Sequence, residues 1–76
     1  MTKLPLLSAH EVIKALSKAD FIQTGQKGSH IKLKRKHENR SWIVIVPNFD
    51  EIPRGTLRSI IRQSGLEQDV FLELLE

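Results

Sequence analysis

At 76 residues the chain has room for one domain, expected to span 1–76; it carries a net charge of +3 and no cysteine. The lack of cysteine excludes disulfides, thiolate metal sites and thiol nucleophiles. No run approaches the roughly 20 apolar residues of a membrane helix and no secretory apolar segment opens the chain, so a cytoplasmic protein is expected.

Ser8-Ala9-His10-Glu11 has the form of a capping box, and Ala9, Val12, Ile13, Leu16 and Ala19 then recur at helical spacing. A first amphipathic helix of about ten residues is expected, ending at Asp20. Three strands should follow. Phe21-Ile22-Gln23-Thr24 is short and stops at Gly25. Ser29 to Arg35 alternates, with His30, Lys32 and Lys34 on one face and Ile31 and Leu33 on the other. Lys36-His37-Glu38-Asn39 makes a polar connection to Trp42-Ile43-Val44-Ile45-Val46, the strongest β run, which ends at Pro47. After a loop over 48–52, Pro53 suits the first turn of a second helix. Leu57, Ile60 and Ile61 form its buried stripe, Arg54, Arg58 and Arg62 project from an exposed side, and Gly65 is its left-handed cap. A short last helix from about Glu67 buries Val70, Phe71, Leu74 and Leu75.

The order α-β-β-β-α with a small final helix predicts an α+β fold. Its form is an antiparallel three-stranded sheet with helices on one face, as in double-stranded-RNA-binding domains. The other face is left free.

The charge distribution suits a polyanion. Glu67, Asp69, Glu73 and Glu76 concentrate acid at the end of the chain, whereas Lys27, Lys32, Lys34, Arg35, Lys36 and Arg40 are opposed within their stretch by Glu38 alone. Gly28-Ser29-His30 opens the basic strand. An imidazole whose ordinary pKa is near neutrality can take a proton from a ribose 2′-hydroxyl, so the RNA supplies its own nucleophile. Lys27, Lys32 and Lys34, with Ser29 beside the histidine, would support charge on the phosphorane-like transition state, and Gly28 would let the backbone approach the phosphate. An exposed strand histidine with no chemical role is the competing reading. His10 should face water, and His37 lies where a loop residue can reach a phosphate or simply be solvated. The three histidines lack metal-ligand spacing and have no carboxylate cluster beside them, so neither metal nor cofactor is expected. Trp42 is expected to pack rather than stack on a base. The arginine ladder, with steps of about 6 Å along the helix, fits a phosphate backbone, an acidic protein or plain solvent.

Taken together, Gly28-Ser29-His30, Ile45-Val46-Pro47, Gly55-Thr56-Leu57-Arg58 and Ile61-Arg62-Gln63-Ser64-Gly65-Leu66 resemble the HicA toxin family, and the likeness runs from the first helix to Phe71-Leu72-Glu73-Leu74-Leu75. That resemblance implies a double-stranded-RNA-binding-like fold and an mRNA interferase that arrests growth by lowering translation. It also implies a HicB-type antitoxin that binds the toxin, blocks its histidine and often represses the shared operon. The family's catalytic histidine falls on His30 and its supporting glycine on Gly28. Many members read Val-Pro-x-His where this chain has Val46-Pro47-Asn48-Phe49. Phe49 exchanges no proton, so a second acid–base role would fall to water, a lysine or His37; alternatively Phe49 stacks on a base. Two other readings remain at this point: a non-catalytic RNA-binding module, and a protein-interaction domain that uses its arginine ladder.

Overall fold

The computed structural model describes residues 4–76; the first three residues of the expected domain lie outside the described residues. The elements are α1 (Ala9–Lys18), β1 (Ile22–Lys27), β2 (His30–His37), β3 (Arg40–Pro47), α2 (Arg54–Ser64) and α3 (Gln68–Glu73). The strands form one antiparallel sheet in the order β1-β2-β3. This is the expected α+β arrangement, with the helices on one face. Among the described residues, no helix is long and apolar enough to cross a membrane.

α1 begins where its capping box dictates. The Glu11 N–H donates to Ser8 Oγ at 3.2 Å, and the Ser8 N–H donates to Glu11 Oε1 at 3.0 Å, so two free helix-end donors are satisfied. Val12, Ala15 and Leu16 are fully buried. α2 opens after Pro53 and buries Leu57, Ile60 and Ile61. Both helices pack on the face of the sheet that carries Ile31 and Leu33 of β2 and Val44 and Val46 of β3.

The segment before α1 is pinned to the loop before α2. Leu7 bridges Ile52, whose N–H donates to the Leu7 carbonyl at 2.7 Å, and the Ala9 N–H donates to the Phe49 carbonyl at 2.9 Å. Arg54 Nε donates to the Leu4 carbonyl at 2.6 Å and is half-buried. The three arginines of α2 therefore do not form one free ladder. Arg54 is a tie for the N-terminal segment, while Arg58 and Arg62 stay exposed.

Several element limits differ from the sequence reading. β1 does not stop at Gly25 but continues to Lys27, because a β-bulge between Gln23 and Gly25 absorbs one residue and restores pairing. Phe21 lies just before the strand, buried, with its N–H on the Leu16 carbonyl at 3.1 Å. The polar connection shrinks to Glu38 and Asn39, because Lys36 and His37 pair with Ser41 and Arg40. Val70, expected inside, is 42% exposed. A six-residue helix turns one side chain fully into the core, and Phe71 takes that place, with Leu72, Leu74 and Leu75 at its margin.

Trp42 packs as expected. It is half-buried, with the Arg35 and Arg40 guanidinium carbons 5.1 and 5.0 Å from its ring centre, within cation–π range. Its indole also closes over Gly65, the α2 cap, whose φ of 75° is left-handed. A methyl at position 65 would run into Trp42 Nε1 and Cδ1. Gly65→Ala combines a left-handed penalty of about 1–2 kcal/mol with an overpacking cost of about 1–3 kcal/mol. A loss of roughly 2–5 kcal/mol is expected from the denaturant midpoint. Gly55→Ala, whose methyl meets nothing within 4 Å, should stay within about 0.5 kcal/mol of wild type.

Candidate active site

The β1–β2 hairpin carries the site. Lys27 and His30 pair across a two-residue turn made by Gly28 and Ser29. Gly28 has φ of 59° and Ser29 is not left-handed, the pattern of a turn that demands glycine at its first central position. A Cβ on Gly28 would meet nothing within 4 Å, so its requirement is conformational and the backbone there is open to solvent. The Gln26 amide Nε2 donates to the Gly28 carbonyl at 3.2 Å and spans the turn. On the other side the Asn48 N–H donates to the Ser29 carbonyl at 2.6 Å. This bond extends the β2–β3 pairing one step past His30, which lies opposite Pro47.

His30 is exposed and directed to the sheet face opposite the helices, since its neighbour Ile31 is buried beneath. It lines an open depression of about 730 Å³ together with Gly25, Gln26, Lys27, Gly28, Ser29, Lys32 and Ile45. Lys27 is its cross-strand partner, at a typical Cβ separation of about 5 Å. Lys32 is the next residue on the same face, flanked by Gly25 on β1 and Ile45 on β3. Five of the residues expected from the sequence to act with or support His30 are thus the histidine itself, Lys27, Gly28, Ser29 and Lys32, and they lie together.

The remaining candidates do not join them. Lys34 lines a second depression, of about 550 Å³, with Asp20, Ile22, Thr24 and Lys36; it stands about 13 Å along the strand from His30. His37 is seven residues farther along β2, about 23 Å away and on the other face, since seven is an odd step. It cannot serve as the acid–base partner of His30. Phe49 is 47% exposed, with its N–H on the Pro47 carbonyl at 2.8 Å, and does not line the depression. Arg58 and Arg62 lie on α2 and do not line the depression. Among the described residues no group of three histidine, aspartate or glutamate side chains could hold a metal ion.

Gly25, Gln26 and Ile45 escaped the sequence reading. Gly25 looked like a strand end, and only the bulge brings it opposite Lys32; Ile45 arrives through the β2–β3 register. No local signal marks either.

Comparison with known protein families gives one match. The family model for the HicA toxin of bacterial toxin–antitoxin systems covers residues 9–66, from the first residue of α1 to just past the Gly65 cap. No curated protein matches the chain.

The turn itself can be tested. Gly28→Ala should lower stability by about 1–2 kcal/mol through backbone strain alone, read as a shifted denaturant midpoint. A loss above about 4 kcal/mol would mean that the open space beside Gly28 is filled in solution.

Proposed function

Since the chain belongs to the HicA toxin family and is thereby a toxin of a toxin–antitoxin system, we propose that it is a metal-independent endoribonuclease acting on mRNA in the cytoplasm, with His30 as general base. The observation that carries this reading is the exposed imidazole at the head of β2, in a depression shared with Lys27 and Lys32. The His30 imidazole removes the proton of a ribose 2′-hydroxyl. The 2′-oxygen attacks the adjacent phosphorus, the bond from phosphorus to the 5′-oxygen breaks, and a proton from water or a lysine goes to the departing oxygen. The products are a 2′,3′-cyclic phosphate and a 5′-hydroxyl. Lys27 and Lys32 carry positive charge beside the non-bridging oxygens as negative charge develops there.

A positioned base supplies roughly 10²–10⁴-fold and an anion-stabilising donor roughly 10²–10³-fold. Such a catalyst is slow, and growth arrest by it depends on release from its antitoxin. The cognate partner is a HicB-type antitoxin that covers His30 at rest, with Arg58 and Arg62 as further cationic contacts on α2. Phe49 occupies the position of the second family histidine and holds an exposed ring beyond Pro47, where it can stack on a base. That substitution also favours a second reading, an RNA-binding module with weak or lost cleavage.

His30→Ala should abolish growth arrest on induction and reduce cleavage of purified RNA at least about 100-fold. Because the side chain is exposed, unfolding should shift by less than about 0.5 kcal/mol, and wild-type cleavage should persist in EDTA. Cleavage unchanged by His30→Ala would remove the histidine from this role; no cleavage by either protein would select the binding module. Lys32→Ala should cut the rate on a dinucleotide by about 10²-fold, whereas Lys34→Ala, outside the depression, should leave it within a few-fold.

A further inference from the structure

Beyond His30 the open face of the sheet holds a second periodicity. Lys32, Lys34 and Lys36 follow it at every other position of β2, and all three are exposed. At about 3.3 Å per residue the lysines stand about 6.6 Å apart, and Lys36 is about 20 Å from His30. Their strand partners on this face are Gly25 and Ile45 for Lys32, Ile22 and Ile43 for Lys34, and Ser41 for Lys36. None is a carboxylate. The two depressions beside β1 and β2 succeed one another along this row, one around Lys32 and the other around Lys34 and Lys36, with Asp20 the only acid in either lining. Gly25 keeps the floor open, since a Cβ there would meet nothing within 4 Å. Ile22, Ile43 and Ile45 remain 69%, 46% and 38% exposed on either side.

We propose that this row is a track for an extended single strand of RNA, with successive phosphates on Lys32, Lys34 and Lys36 and the reacting ribose at His30. The inference rests on the nuclease reading and names its substrate class: unpaired RNA rather than the duplex that the fold type suggests. The row follows a single strand. A duplex strand winds about its axis and would leave such a row after a phosphate or two, whereas an unstacked strand can follow it. The isoleucines offer apolar shelves for unstacked bases, and because aliphatic side chains have no directional groups, they accept any base. The chain reverses at Gly28-Ser29, so the track extends from His30 in one direction only.

Binding of 2′-O-methyl RNA, which has no free nucleophile, measures the track without cleavage. For an eight-nucleotide strand the logarithm of affinity should fall with the logarithm of salt concentration with a slope near −2, since each phosphate on a single strand contributes about −0.7. Lys36→Ala should reduce that slope by about 0.7 and weaken the eight-mer several-fold, while leaving a dinucleotide unaffected. A blunt duplex of equal length should bind less tightly and be indifferent to Lys36→Ala. Preference for the duplex, or an eight-mer affinity unchanged in the Lys32→Ala/Lys34→Ala/Lys36→Ala protein, would overturn the track. So would a triple variant that keeps RNA but loses polyglutamate, because the row would then be a surface for acidic protein. These outcomes are independent of the role of His30: cleavage by His30→Ala sinks the nuclease reading, whereas a flat response to the lysines with His30-dependent cleavage sinks the track alone.

Discussion

The burial of Ile31 and Leu33 beneath the helices is the constraint on which the functional face depends. Both are buried to within 6% of complete, and they alternate with His30, Lys32 and Lys34 along β2. Because side chains on a strand point alternately to opposite faces, fixing two residues inward fixes the others outward. A one-residue slip would place the histidine and lysines against Val44 and Val46 and put Ile31 and Leu33 in water. The polar face is therefore held by the apolar one.

β2 is the central strand and can carry this load because both neighbours are secured in different ways. β3 is held by α2, including an N–H of Ile45 that donates to Gln63 Oε1 at 3.4 Å on the outer edge of the sheet. β1 is exposed throughout and is held chiefly by β2, with the buried Phe21 at its base. Its free edge is interrupted by the bulge and ends in Lys27, two devices that discourage pairing with another chain. The same bulge brings Gly25 opposite Lys32 and opens the depression. An irregularity that protects an edge thus also shapes the site.

The loop after β3 links the N-terminal segment to the histidine. Backbone bonds from Ala9 and Ile52, together with Arg54 on the Leu4 carbonyl, hold residues 48–53. Asn48 then holds Ser29 from the other side. Arg54, one of the three arginines that the spacing offered as ligand contacts, is used here instead, which leaves Arg58 and Arg62 as the accessible cations of α2.

The sequence by itself determined the element order, the α1 capping box, the Gly65 cap and the two faces of β2, because each rests on local chemistry or on a period of 2 or 3.6 residues. His30, Gly28, Ser29, Lys27 and Lys32 were legible as a group for the same reason, being close along one hairpin. Only the tertiary structure decided the β1 bulge, the reach of β2 to His37, the exposure of Val70 and the capture of Arg54, since each depends on how one segment pairs with or packs on another. It also separated Lys34 and His37 from the histidine and brought in Gly25, Gln26 and Ile45. Register across a sheet is a relation between strands, and no single strand encodes it.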